Sequence, residues 1–263
     1  MCIRDSASID QKIDSRRQLQ SVFGTAQVGY QDKVFLDLTA RNDWASTLAY
    51  TSHEKSGFFY PSAGLSFLID KWIQLPEWIS FAKLRGTYSK VGNDIPQFIT
   101  NSVSHITAGG ELQANDAAPF KEMEPEMTHS VEVGTEWRFF QSRLGFNLTY
   151  YRTNTHNQFF KLPALAGDMY AYRYVNAGDI QNRGWELTVD ATPVLTPDFT
   201  WKTSLNFSSN RNKIKELHEE LKELVYGPSS FSSSYAMKLV KGGSIGDIYG
   251  KAFVLSLIHI SEP

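Results

Sequence analysis

Alternation of apolar and polar residues, sustained over about ten positions at a time, is the feature that most limits how this chain folds. About eight stretches show it; in one of them Val131 and Val133 alternate with Glu132 and Gly134. A period of two places successive side chains on opposite faces of a β-strand. Strands in soluble sheets usually span about five or six residues, whereas about ten residues are needed for a tilted strand to cross a bilayer.

The connections between these stretches are alternately short and long. The pattern predicts strands at about 18–31, 34–41, 59–69, 82–89, 131–139, 144–151, 185–191 and 201–208, with a ninth beginning near Ala236. The predicted long loops are 42–57, 92–127, 156–182 and 210–235, and the linker 70–79 is of medium length. Because every short turn falls on one side and every long loop on the other, neighbouring strands are expected to run antiparallel in up-and-down order.

The charged residues of these strands are predicted to share one face, which we call the charged face. They are Asp37, Arg41, Lys83, Arg85, Glu132, Glu136, Arg138, Glu186, Asp190 and Lys202. The other face, the apolar face, has no such charge and carries aromatic residues near both ends. Those near the short turns are Tyr30, Trp137, Phe139 and Trp201, and those near the long loops are Phe59, Tyr88, Tyr150 and Trp185.

These two faces suit a barrel in a membrane better than a soluble sandwich. Burying lone charges is costly, so the charged face makes a poor core but a good hydrated lumen. Two aromatic belts match the two interfaces of a bilayer. The sequence therefore predicts an all-β fold, a partial transmembrane antiparallel up-and-down β-barrel of about nine or ten strands covering residues 7–254. Two interpretations of these charges are open. They line a substrate path, or they form stabilising ion pairs with one another or with a plug.

Composition narrows the function classes. A formal net charge of −2 and the lack of a basic run give no indication of a nucleic-acid partner. The single cysteine, Cys2, excludes a disulfide framework. Residues 1–6 and 255–263 resemble translated sequencing-adapter sequence, so we expect them to be foreign to the protein. The alternative is that residues 254–260 form a real strand.

No group of residues has the spacing of a catalytic or metal site, so the sequence predicts neither an enzyme nor a metal or cofactor. Glu124 and Glu126 flank Pro125 like the paired carboxylates of a glycosidase, but a solvated loop explains them better. The segment from Lys215 to Val225 is predicted to be a short amphipathic helix.

Aromatic residues in the long loops are the candidates for ligand binding. They are Trp44, Tyr50, Phe159, Phe160, Tyr170, Tyr172 and Tyr174. Aromatic rings among polar neighbours suit the faces of sugars, and packing of the loops on themselves explains these residues nearly as well.

Four short motifs, in this order and spacing, resemble SusC/RagA-type TonB-dependent outer-membrane transporters. They are Lys83–Ser89 with Gly92 and Asn93, Leu148–Arg152, Asn182–Leu187 and Ile245–Gly250. The resemblance covers roughly residues 18–253. It implies a barrel of about 22 strands with an N-terminal plug, in the outer membrane of a Gram-negative bacterium.

The resemblance also implies partners and a cargo. These are outer-membrane lipid, a SusD-like surface lipoprotein, TonB acting through an N-terminal region, and an oligosaccharide or peptide substrate. The predicted strands are too few to close such a barrel, so we expect this chain to be part of one. The alternatives are a soluble all-β carbohydrate-binding module and a TonB-dependent siderophore receptor.

Overall fold

The computed structural model describes residues 16–250 except 50, 54, 102, 108, 165–166, 177, 218–222 and 227–234. The two ends predicted to be foreign, residues 1–6 and 255–263, lie outside the described residues. Among the described residues, no helix has both the length and the apolar character needed to cross a membrane.

Strands account for most of the described chain. In chain order they are β1 Leu19–Tyr30, β2 Val34–Ala45, β3 Phe58–Leu68, β4 Ile79–Asn93, β5 His105–Ile106, β6 Leu112–Gln113, β7 Ala117–Ala118, β8 Glu126–Phe139, β9 Leu144–His156, β10 Phe159–Pro163, β11 Tyr172–Asn176, β12 Asp179–Leu195, β13 Thr200–Glu216, β14 Glu223–Tyr226, β15 Tyr235–Val240 and β16 Ile248–Gly250. Two single-turn 3-10 helices, η1 Ser46–Leu48 and η2 Ile69–Lys71, follow β2 and β3.

The eight long strands form one sheet in the order β1-β2-β3-β4-β8-β9-β12-β13, and each pair is antiparallel. The predicted up-and-down order is therefore confirmed. Several strands are longer than the alternation predicted; β12 and β13 have 17 residues each. Their ladder continues past the apolar stretch because polar residues pair equally well through the backbone. Within the described residues the sheet does not close on itself.

The register keeps the two predicted faces apart, because residues directly opposite in an antiparallel pair share a face. On the apolar face, Tyr150 is paired with Val133 of β8 and with Trp185 of β12. On the charged face, Glu136 is paired with Lys83 of β4 and with Asn147 of β9. A slip of one residue would exchange the faces, so this register accounts for the segregation of charge.

Two expectations differ from the structure near the end of the chain. A strand begins at Tyr235, close to the predicted start, but it pairs with β14 and β16 in a separate sheet. The predicted helix is wrong at both described ends, since Lys215 lies in β13 and Val225 in β14. Backbone pairing of β13 with β12 continues to Glu216, and this tertiary pairing overrides the local helical pattern.

Burial is inverted relative to a soluble sheet. Large side chains of the apolar face are exposed, including Val22 at 66% and Leu205 at 67%. The principal buried cluster lies instead in the long loops and consists of Leu48, Ile95, Ile99 and Met123, with Ala45, Phe58, Phe120, Phe159 and Tyr174 packed against it. We call this cluster the loop core. The long loops thus pack together beside the ends of β2 and β3, and we call this layer the loop cover.

Candidate functional site: the charged face and its loop cover

Some of the predicted lumen charges have partners on their own face. Arg85 Nη2 donates to Thr149 Oγ1 at 2.6 Å and to Asn147 Oδ1 at 3.3 Å. Arg138 Nη2 donates to Glu136 Oε1 at 2.8 Å, and Asp37 Oδ1 accepts from Gln27 Nε2 at 2.6 Å. For these residues the structural interpretation of the charges has direct support.

The other charges of this face make no ion pair within the described residues. They are Lys83, Glu132, Glu186, Asp190 and Lys202. Both signs occur, and they are spread over several strands rather than grouped. Such a charged surface suits contact with water, as in the polar interior of a membrane barrel.

A cleft of about 370 Å³ opens on the charged face at the long-loop end. Arg41 and Asp43 of β2 and Tyr60 of β3 form its floor, and Leu48 and Pro125 of the loops border it. The cleft therefore lies where the sheet meets the loop cover.

The guanidinium of Arg41 is the central cation of this cleft. Its Nε donates to Asp43 Oδ1 at 2.6 Å and its Nη2 donates to Ser21 Oγ at 3.0 Å. The sequence pattern places Asp43 in a loop, but in the structure Asp43 continues the alternation of Asp37 and Arg41 along β2. Extending the alternation by two residues beyond Arg41 would have placed Asp43 on the charged face.

Asp94, at the end of β4, ties the loops to the sheet. Its Oδ2 accepts from Arg17 Nη2 at 2.5 Å, and its Oδ1 accepts from the backbone N–H of Ile95 at 2.8 Å and from the hydroxyl of Thr47. These bonds occupy both carboxylate oxygens. Asp94 therefore links the end of β4 to η1 structurally, and its carboxylate is not free to bind a ligand.

The loop aromatics do not gather into one site. Trp44 lies in β2, not in a loop, because β2 stays paired with β1 as far as Ala45. By alternation with Leu38 it belongs to the apolar face. Tyr50 lies outside the described residues. Trp44 is therefore not part of a loop site, and the prediction for Tyr50 stays a prediction.

The remaining candidates lie on or beside the hairpin of β10 and β11. Phe159 and Tyr174 pack on the loop core, and Phe160 packs on a second buried pair, Leu162 and Val175. Packing of the loops on themselves accounts for these three aromatic rings.

Tyr172 differs from the three packed aromatics. It is 37% exposed, and Lys161 Nζ lies 4.2 Å from its ring centroid. The same ammonium donates to Asp116 Oδ1 at 3.0 Å. The bend residue Tyr170 is partly buried between the two strands. Tyr172 is accordingly the predicted aromatic that combines exposure with polar neighbours.

A sheet of long antiparallel strands, exposed and apolar on one face and charged on the other, defines a piece of a membrane-spanning β-barrel. Residues 4–228 match the family model described as TonB dependent receptor-like, beta-barrel. The chain belongs to this family, which leaves the alternative of a soluble carbohydrate-binding module without support.

Curated relatives agree with the family. TonB-dependent receptor P26 of Formosa agariphila is 30% identical over 210 residues, covering 76% of this chain and 21% of the relative. TonB-dependent receptor SusC of Bacteroides thetaiotaomicron is 25% identical over 218 residues, covering 77% of this chain and 21% of the relative. The chain thus spans about a fifth of the length of these relatives.

Solved structures show the same fold. The RagAB peptide transporter superposes with a TM-score of 0.72 at 21% identity, covering 86% of this chain and 25% of that one. The siderophore receptor PiuA from Acinetobacter baumannii gives 0.53 at 16% identity, covering 87% and 29%. The resemblance to SusC/RagA-type receptors predicted from the four motifs is confirmed.

Proposed function

We propose that this chain is part of the barrel of a TonB-dependent importer in the outer membrane of a Gram-negative bacterium. The whole transporter takes up glycans or other oligomeric nutrients, and residues 7–254 contribute barrel strands and outer loops. Support comes from the receptor family, from the relative named SusC and from the fold shared with a peptide transporter. Import of this kind moves the substrate without covalent chemistry, so the protein is not an enzyme.

The observation that carries this proposal is the two-faced register of the eight-stranded sheet. An apolar face with exposed side chains such as Leu65, at 51%, needs lipid around it. The charged face then lines the lumen, which makes the cleft beside Arg41 and Asp43 accessible from the passage. The long loops face outwards, and TonB acts from the side of the short turns.

The resemblance to SusC/RagA-type receptors supports the proposed partners. A SusD-like surface lipoprotein covers the long-loop end, TonB acts through an N-terminal plug region, and outer-membrane lipid surrounds the apolar face. Among the predicted ligand-contacting aromatics, Tyr172 is the strongest candidate for substrate contact, because its ring is exposed beside the Lys161–Asp116 pair.

Uptake by cells that carry the full-length protein tests the proposal. Labelled oligosaccharides, oligopeptides and a ferric siderophore are offered separately, with and without functional TonB. We expect uptake of an oligosaccharide or a peptide that stops when TonB is inactivated. Uptake restricted to the siderophore would overturn the nutrient assignment and favour the siderophore-receptor alternative, which the fold shared with PiuA also allows.

Tyr172→Ala refines the same assay. Loss of a stacking aromatic ring should lower the apparent substrate affinity by a few-fold, without lowering the amount of protein in the membrane. Met169→Ala is the matched control, since Met169 is 92% exposed in the same loop. Equal uptake by both variants would remove Tyr172 from the substrate path.

A further inference from the structure

Three arginines lie side by side at the long-loop end of the apolar face. Arg152 of β9 is directly paired with Arg183 of β12, and Arg183 is paired in turn with Arg211 of β13. All three side chains are exposed. We call them the arginine row. Directly opposed like charges have Cβ atoms about 5 Å apart and destabilise a sheet unless something neutralises them.

The row follows the last aromatic residues of the apolar face. Tyr150 and Trp185 each lie two residues along their strand from Arg152 and Arg183, so the rings and the guanidinium groups share one face. The ring centroids of Tyr150 and Trp185 lie 4.8 Å apart. Two residues along a strand correspond to about 7 Å. Aromatic rings of this kind mark the membrane interface, which places the guanidinium groups at the level of the lipid head groups.

No carboxylate neutralises the row within the part of the chain that the structure describes. Arg183 and Arg211 make no side-chain ion pair there. Arg152 has only neutral partners: its Nε donates to Asn154 Oδ1 at 3.3 Å and, with the Gln181 amide turned, to the Gln181 oxygen at 2.8 Å.

The acidic residue of this face at the start of β12 is already engaged. Asp179 Oδ1 accepts from Asn154 Nδ2 at 3.0 Å and lies 3.8 Å from His156 Nδ1. Two residues beyond Arg211 along β13, exposed Lys213 adds another cation on the same face, opposite Gln181. The outer end of these three strands therefore carries a net positive charge.

We propose that the arginine row binds the phosphate groups of lipid in the outer leaflet. Guanidinium groups present paired N–H donors that fit phosphate oxygens bidentately, and an anion between them converts their repulsion into attraction. The occupant is a lipid rather than a soluble anion because the row continues the exposed apolar face, where acyl chains pack. This inference rests on the proposed function only in placing the long loops outside the outer membrane.

Among the described strands of the sheet, the site is confined to β9, β12 and β13. Towards β8 and β4 the same row continues with Val131 and Tyr88, which carry no charge. A general belt of cations would surround the barrel, whereas three adjacent strands with one arginine each form a local binding surface. We therefore expect a small number of retained lipids rather than a uniform annulus.

Binding of lipid A to the purified full-length protein in uncharged detergent tests this proposal, with dephosphorylated lipid A as the comparison. The variant carries Arg152→Gln, Arg183→Gln and Arg211→Gln. We expect its affinity for lipid A to fall about 100-fold, since each cation near an anionic lipid surface contributes about fivefold. Affinity for dephosphorylated lipid A should be weak and alike in both proteins.

Two further variants separate charge from folding. Lysine at the same three positions should keep affinity within about tenfold, because the charge remains although the forked geometry is lost. The control Lys55→Gln, Lys121→Gln and Lys241→Gln removes equal charge from exposed loop positions and should bind as the parent does. Without lipid, the triple glutamine variant should unfold at an equal or higher temperature, because the repulsion is gone.

The outcomes are distinct. Equal affinity of the parent and the triple glutamine variant, or equal affinity for the two forms of lipid A, would overturn the site. Displacement of lipid A by an equal concentration of inorganic phosphate would show a soluble-anion site and would overturn it as well. Because binding is read on purified protein without import, failure of the uptake test would leave this result standing and would remove the transporter proposal alone.

Discussion

The eight-stranded sheet and the loop cover bury their apolar residues in opposite ways. In the sheet, Val28 is 57% exposed and Leu205 is 67% exposed, and both belong to the apolar face. In the loops, Leu48 is 2% exposed and Met123 is fully buried. Apolar side chains therefore avoid water in two ways in this chain. In the sheet they are exposed on a face that lipid can contact, and in the loops they are buried within the protein.

The two regions are also held together differently. Backbone pairing along eight strands needs no side-chain core, so the sheet can give its charged face to water and its apolar face to lipid. The small sheets of the loops have two to five residues per strand where they pair as β5-β6 and β10-β11. Isolated ladders this short are only marginally stable, and the β10-β11 ladder packs Phe159 and Tyr174 on the loop core.

Removing one buried side chain from the loop core should have the largest effect. We expect Leu48→Ala to destabilise the loop cover by about 2–5 kcal/mol, through lost burial and the cavity left behind. Hydrogen exchange of the amides in residues 94–125 of the full-length protein measures this loss as faster exchange there than in β8 or β9.

Leu65→Ala provides the matched change in the sheet. Leu65 is 51% exposed on the apolar face, so its truncation removes lipid contact without opening a cavity. Loop exchange should stay as in the parent. If both variants accelerated exchange in the same amides, the loop cover and the sheet would be a single cooperative unit and the comparison would fail.

Placing a cation on each face of one strand is the next test. Leu148→Arg should cost about 2–4 kcal/mol in an intact barrel, because Leu148 lies on the apolar face between Thr135 and Leu187. Asn147→Arg should cost much less, because its cross-strand partner on the charged face is Glu136. Denaturant unfolding of the full-length barrel in lipid measures both, and equal losses would contradict the assignment of the faces.

The sequence predicts the sheet well because period two carries both strand identity and face. The alternating short and long connections predict the antiparallel order of the eight strands, and the alternation within each strand predicts the common face of Glu136 and Lys83. The loop layer could not be predicted this way. Its strands are too short for a period to show, and β10 and β11 are defined by contacts between distant residues.

The candidate site was predictable only in part. Alternation identifies Arg41, but the predicted strand ends there, so the sequence places Asp43 and Trp44 in a loop although both lie in β2. The arginine row is invisible in sequence, since residues 152, 183 and 211 become neighbours only through the register of β9, β12 and β13. Pairing partners depend on the register between strands, which turn geometry and the burial of one face set together and which the pattern within one strand does not give.

The smallest expected effect comes from comparing two glycines of the sheet, Gly184 and Gly24. The comparison tests whether the sheet itself contains a tightly packed position. A Cβ built on Gly184 of β12 would lie 2.1 Å from the carbonyl oxygen of Ser209 and 2.6 Å from the hydroxyl of Tyr151. The Tyr151 side chain comes over Gly184, its direct partner on the charged face. A Cβ on Gly24 of β1 would meet nothing within 4 Å.

Gly184→Ala should therefore cost about 1–3 kcal/mol, since the backbone of β13 must move to admit the methyl group. Gly24→Ala should change the free energy of unfolding by less than about 0.5 kcal/mol. The midpoint of urea unfolding at constant slope measures both changes. Because the conflict at Gly184 involves backbone and an aromatic side chain, a neutral Gly184→Ala would mean that β12 and β13 slide apart freely. The sheet would then be as loosely packed on its charged face as its exposed apolar face is, and only the loop core would be packed like a protein interior.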